Sequence, residues 1–310
     1  MGLLAEYALT PDVFDTDSYS SEEVCGLHLQ QLKEVLLQEG IVRDLRAGEW
    51  RKQFVETGRP WHSRGKELLK KLIVQKRLAV AEAARPQPPT IDSEWCDEAI
   101  ASHKQLALSG IIVSDSLAGT YKDDSTVAAI SKLSGAAWWA GRSPSVRVAR
   151  TRADYELKLD LLLRHANSLM FIDPYIDPTD TFQYNAFIRL LDTLKGRTVK
   201  PLVEVHRAAW YKAGADKRPR VKEVVAALSP QLSACAARAN VSIEVFLWDD
   251  VHDRYLISDV IGISMPYGMA TTNAPNAVTT WTRLGRADRD AVQREFDPAH
   301  RQPRHRFMLK

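Results

Sequence analysis

The sequence predicts an α/β chain in two parts: a mainly helical amino-terminal domain over residues 1–145, then residues 146–310 as a mixed sheet flanked by helices. Two observations lead there. After Val146, short apolar runs alternate with helical runs and end in several closely spaced strands, the pattern of an α/β sheet with an antiparallel edge. Before it, helical periodicity dominates, and the stretch 135–145, with Gly135, Gly141 and Pro144, marks a boundary zone. A chain of 310 residues is long enough for two ordinary cores.

Taken in order, Leu27, Leu29, Leu32, Val35 and Leu36 follow one helical pattern, stopped by Gly40. A second helix runs through residues 66–74 and on toward Ala84, where Arg85-Pro86-Gln87-Pro88-Pro89 breaks it and makes a stiff connector. A short helix over residues 94–108 precedes a buried strand at Ile111-Ile112-Val113 that ends at Asp115. In the second half Thr151 caps a helix with Asp154 in its first turn, and Leu157, Leu161 and Leu162 supply its buried face. Residues 168–172 form an apolar strand ending in Asp173-Pro174-Tyr175. A helix over 182–194 is closed by Gly196, and residues 201–205 make the next strand. A helix over 221–237, a strand over 241–247, and the close pair 255–257 and 261–263 complete the pattern.

Composition narrows the function classes. The chain is 45% hydrophobic and 26% charged, with net charge +3, a balance that permits an anionic partner without demanding one. Cys25, Cys96 and Cys235 are odd in number and lack metal spacing, so neither a disulfide framework, a metal nor another cofactor is expected, and a reducing cytoplasm fits. The amino terminus has no secretory pattern, and no apolar run is long enough to span a membrane.

The chemistry-bearing segment is His252-x-Arg254-x4-Asp259, preceded by Trp248-Asp249-Asp250. On a strand, His252 and Arg254 point to one face. A neutral imidazole can attack phosphorus, a guanidinium can clamp the non-bridging oxygens, and Asp259 can orient the imidazole or hold the arginine. The plainer reading is a strand-end histidine near an acidic turn, with an Arg–Asp pair tying adjacent strands. Asp173 ends a strand where α/β sheets place ligands, and its plainer reading is a turn-forming Asp-Pro. The basic stretch Lys217, Arg218, Arg220 and Lys222 lies beside Trp210 and Tyr211; such mixtures track nucleic-acid backbones and also serve as solvated helix entries. Arg147, Arg150 and Arg152, and the tail from His300 to Arg306, admit the same two readings, and Phe307-Met308-Leu309 can dock on a partner or on the domain itself. Trp61-His62-Ser63-Arg64 reads as a capped helix start, and Trp138-Trp139 as packing.

His252-x-Arg254-x4-Asp259 resembles the His-x-Lys-x4-Asp signature of the phospholipase D superfamily, with arginine in place of lysine. Together with Phe171-Ile172-Asp173-Pro174-Tyr175-Ile176 it resembles more closely the phospholipase D-like domain at the carboxyl end of MIT-domain proteins and its bacterial relatives, over roughly residues 146–297. Active phospholipase D-type enzymes use two such motifs, one histidine as nucleophile and one as general acid. This chain has one motif, because His62-x-Arg64 is followed by Leu69 at the aspartate position. The resemblance therefore implies a homodimer that contributes His252 twice, acting as a metal-independent nuclease with a role in bacterial defence. Arg254 would clamp phosphate and Asp173 would assist. The MIT-type relatives imply the alternative, a non-catalytic module that dimerises and holds a phosphate-bearing ligand or a partner protein. The Gly-Ser expected after the motif is displaced by Met265-Pro266. The amino-terminal domain is left as a possible site for a protein partner.

Overall fold

The computed structural model describes residues 2–56, 58–210 and 220–310. The chain divides into two compact units, essentially Leu3–Ser143 and Pro144–Lys310.

The first unit is built on five strands, β1 (Ala5–Leu9), β2 (Gly40–Asp44), β3 (Leu78–Val80), β4 (Gly110–Val113) and β5 (Val127–Ala129). They pair in the order β3-β2-β1-β4-β5, every pairing parallel. Helices α1 (Glu22–Glu39), α2 (Leu45–Glu56), α3 (Ser63–Val74), α4 (Asp92–Gln105), α5 (Asp115–Ala118) and α6 (Ala137–Ala140) connect and cover them. The expected helices are thus largely present, but they wrap a parallel sheet that the sequence reading reduced to the single strand at Ile111-Ile112-Val113. Two physical reasons account for the difference. Gly40 ends α1 and at once begins β2, since its missing side chain lets the turn lie against Leu36. Within β1 and β2, Glu6 and Arg43 interrupt the apolar runs, yet they are buried together as an ion pair at 2.8 Å. Arg43 also donates through Nη1 to the Ser102 and Leu106 carbonyls, which adds to the pairing that offsets burial of the charge. The second helix stops at Val74 rather than continuing toward Ala84, because Lys76 takes a left-handed conformation (φ 52°) and Leu78–Val80 joins the sheet. His62 caps α3, its Nδ1 accepting the Arg64 N–H at 3.0 Å. Trp139 is buried against Tyr7.

Among its described residues the second unit holds eight strands, β6 (Ser145–Ala149), β7 (Ser168–Ile172), β8 (Leu202–Ala208), β9 (Ile243–Trp248), β10 (Tyr255–Ser258), β11 (Gly262–Ser264), β12 (Val278–Arg283) and β13 (His305–Leu309). Their order is β13-β9-β8-β7-β10-β11-β12-β6. The inner strands β7, β8 and β9 are parallel, joined by crossover helices, and the others add antiparallel. The unit is therefore the mixed sheet flanked by helices that the sequence predicts.

Helices α7 (Arg152–His165), α8 (Asn185–Asp192) and α9 (Val221–Ala239) pack side by side, with Phe187 of α8 edge-on to Phe171 of β7. The opposite face carries Met170, Ile172, Phe246, Trp248 and Ile257, covered by Val292 and Phe296 at α10 (Arg286–Glu295). Alternate residues of β7 thus serve two cores, as a two-residue period requires. The α7 face differs from expectation: Tyr155, Leu159, Leu162 and Leu163 are buried, while Leu157 is 68% exposed. The tail segment from His305 to Leu309 docks on its own domain, as strand β13 against β9.

Candidate functional site

The carboxyl ends of β7 and β8 and the start of β10 meet at one end of the second sheet, the position where open α/β sheets bind ligands. A cavity of about 560 Å³ opens there, lined by Arg150, Tyr175, Asp177, Asp180, Gln183, Tyr184, Arg207, Trp210, Arg254, Tyr267 and Ala270. Its construction follows from β7. Strand pairing runs out at Ile172, and the next residue, Asp173, is almost wholly buried. Its Oδ1 accepts the Tyr175 N–H at 2.9 Å and its Oδ2 the Met269 N–H at 3.3 Å. One carboxylate therefore fixes both the turn after β7 and the loop over residues 265–271. Burial raises the Asp173 pKa, against the lowering effect of those two N–H groups and of Arg254 and Arg207.

Among the described residues three guanidinium groups face this cavity. Arg254 lies 3.5 Å from Asp173, donates to the Pro266 carbonyl at 3.0 Å and stands over the Tyr175 ring. Arg150 lies over the Tyr267 ring at 4.0 Å, and its buried Nε has no hydrogen-bond partner among the described residues. Arg207, buried, donates to the carbonyls of Ile176, Ala208 and Trp210 and so braces the wall. Tyr175 and Trp210 meet edge to face at 5.3 Å. Cations interleaved with aromatic rings can grip a phosphate and stack a flat group beside it.

The motif His252-x-Arg254-x4-Asp259 is divided by this geometry. Arg254 and Asp173 come together at the cavity. His252 does not line it: its side chain is 70% exposed, with Nε2 2.7 Å from Asp250 Oδ1. Asp259 follows the far end of β10, roughly 17 Å along the strand from Arg254 at 3.4 Å per residue. There its Oδ1 accepts the Asn167 N–H at 2.9 Å and its Oδ2 the Asn167 side-chain amide at 3.0 Å. The expectation that Asp259 orients the histidine or holds Arg254 is corrected: it ties the entry of β7 to the exit of β10. The four-residue spacing that looks catalytic in one dimension is the length of a strand.

Of the basic stretch, Lys217 and Arg218 lie outside the described residues. Arg220 precedes α9 and pairs with Glu223 at 3.3 Å, and Lys222 is exposed on its first turn. Sequence reasoning passed over Arg150, Arg207, Tyr267 and Trp210 as members of one site. Arg150 and Trp210 were noticed only in other groupings, and nothing in local spacing joins residues so far apart in the chain. Among the described residues no group of His, Cys, Asp or Glu is placed to hold a metal ion, and no helix is long and apolar enough to cross a membrane.

No family model and no curated protein matches the chain. Among solved structures, it is similar to TrmBL2, an archaeal chromatin protein whose structure shows a novel mode of DNA binding, at 13% sequence identity. That match covers 79% of this chain and 83% of the other with a TM-score of 0.29, too loose a likeness to carry an argument about fold or function.

Proposed function

We propose that the Pro144–Lys310 unit is a binding module for a phosphate-bearing ligand, nucleic acid foremost, on a frame of phospholipase D type. One observation carries the reading: Arg150 and Arg254 face a shared cavity, each beside a tyrosine ring. A pair of guanidinium groups in a partly enclosed site favours a phosphate oxygen over any neutral group. Among the described residues no Ser, Cys or His lines the cavity, so the histidine that phospholipase D-type catalysis uses is not in it.

A second reading keeps catalysis. The exposed His252–Asp250 pair is an oriented imidazole with one face open to solvent, the form in which a second copy of the chain could complete a metal-independent nuclease. This reading requires a homodimer that brings two His252 side chains to one phosphate.

The test is incubation of the full chain with labelled single- and double-stranded DNA and RNA in EDTA, following both retention and cleavage. Wild type, Arg254→Ala and His252→Ala are compared, with the oligomeric state measured by sedimentation. The binding reading expects retention that Arg254→Ala weakens and His252→Ala leaves unchanged, with no cleavage. Cleavage by a dimer that His252→Ala abolishes moves the assignment to the nuclease. Absence of binding to any of the four nucleic acids and to inorganic phosphate removes both.

A further inference from the structure

We propose that a second cavity in this unit, on the face of the sheet that α10 covers, binds a primary alkylammonium group carried on a short apolar stem. It has a volume of about 300 Å³ and lies at the opposite end of β7 from the arginine cavity, between that strand, β8, β10 and the end of α10. Its apolar floor is Met170 and Ile257, both buried, and Leu202, half exposed at the mouth. Its charged groups are Glu204 and Asp297, and among the described residues no Lys, Arg or His lines it. That volume is at the small end of ordinary ligand pockets, which begin at ~300 Å³.

The charge of Glu204 is not cancelled from behind. Its Oε2 lies 3.1 Å from Nε2 of the buried His206. The other ring nitrogen, Nδ1, accepts the Trp248 indole N–H at 3.1 Å, which places the proton of a neutral imidazole on Nε2. His206 is stacked on Phe246 and Trp248, and burial lowers its pKa, so the ring donates to Glu204 without neutralising it. Glu244, the other carboxylate near His206, is paired with Arg306 at 2.8 Å. Asp297 takes the Ala299 N–H at 2.8 Å on one oxygen and faces the exposed His300 at 3.3 Å on the other. The Ala299 N–H holds the Asp297 carboxyl below the usual range. The cavity therefore presents apolar surface to a stem and negative charge to its head, and it repels anions. A free alkylamine and a lysine side chain share this chemistry.

The test uses the full chain labelled with ¹³C at its methionine methyls, so that Met170 reports on the cavity floor. At mildly alkaline pH, n-butylammonium should shift the Met170 resonance saturably at millimolar concentration. Butyrate should not, and 1-butanol should bind about tenfold more weakly or worse. Glu204→Gln keeps an acceptor for His206 and should weaken butylammonium by about tenfold. Gln293→Lys, on the exposed side of α10 at the cavity, supplies a tethered ammonium and should displace it. A parallel titration with Nα-acetyl-lysine methylamide separates the two sources of the group, and binding of either probe supports the site. Equal binding of butanol, indifference to Glu204→Gln, or no saturable shift at Met170 overturns it.

Discussion

Gly268 rests directly on the carboxylate of Asp173: a Cβ at this position would overlap Asp173 Oδ2 and press on Arg254. The backbone there also has φ +56°, a conformation that side chains other than glycine adopt at a cost. The sharp loop over residues 265–271 and the buried acid at the end of β7 are thus one device, which sets Tyr267 and Arg254 on the rim of the cavity.

It follows that Gly268→Ala should destabilise the second unit by about 2 kcal/mol or more, from left-handed strain and overpacking together. Urea unfolding should show the lowered midpoint, and inorganic phosphate affinity should fall because Arg254 is displaced. An alanine variant with unchanged stability and affinity would falsify the coupling of loop to acid.

Asp259 and His252 separate motif from mechanism. Asp259→Ala removes an acceptor of two Asn167 donors and should cost about 1–3 kcal/mol of stability while leaving anion affinity intact. His252→Ala, at an exposed side chain, should leave both nearly unchanged. A selective loss of anion affinity in either variant, with stability preserved, would return that residue to the cavity and contradict the geometry.

These contrasts show what was legible in the sequence. The alternation of strand and helix after Val146 is a local, periodic signal, and it gave the inner strands β7 to β10 and their helices nearly in place. β1 and β2 were missed because Glu6 and Arg43 break the apolar pattern, and only their mutual burial explains them. The motif at residues 252–259 placed Arg254 in the site and misled for Asp259, since a one-dimensional spacing does not say which end of a strand a side chain serves. Arg150, Trp210 and Tyr267 converge through tertiary structure alone. Leu157 looked like core because its neighbours in the pattern are leucines, yet the helix turns it to solvent.

The three cysteines should be inert in the folded chain. All are buried, and burial pushes the Cys25 thiol up to about 11 and Cys96 up to about 12, with Cys235 also raised. Ellman titration should find essentially no reactive thiol in native buffer and all three in guanidinium. A rapid native reaction would show that one of these sites opens.

The raised pKa of Asp173 makes anion binding pH-dependent in a definite direction. A carboxyl whose folded pKa lies above its ordinary value of 3.8 favours the protonated form on folding. Its contribution to stability is fully present below that ordinary value and is lost as pH rises through the folded pKa. The same ionisation places a negative charge 3.5 Å from Arg254, which competes for the guanidinium with any ligand. Affinity for an anion should therefore fall as pH rises through this window. Sulfate is the suitable probe, because it stays a dianion throughout and titrates nothing itself. Its dissociation constant, measured by calorimetry from the ordinary carboxyl value of 3.8 upward, should increase with pH in wild type. In Asp173→Asn the dependence should flatten, although the amide sets a donor toward the Met269 N–H and should also lower stability. Because that fold defect is independent of pH, the slope and not the absolute affinity is the discriminating quantity. An equal slope in both proteins would place the titrating group elsewhere and leave Asp173 as a purely structural brace for the loop.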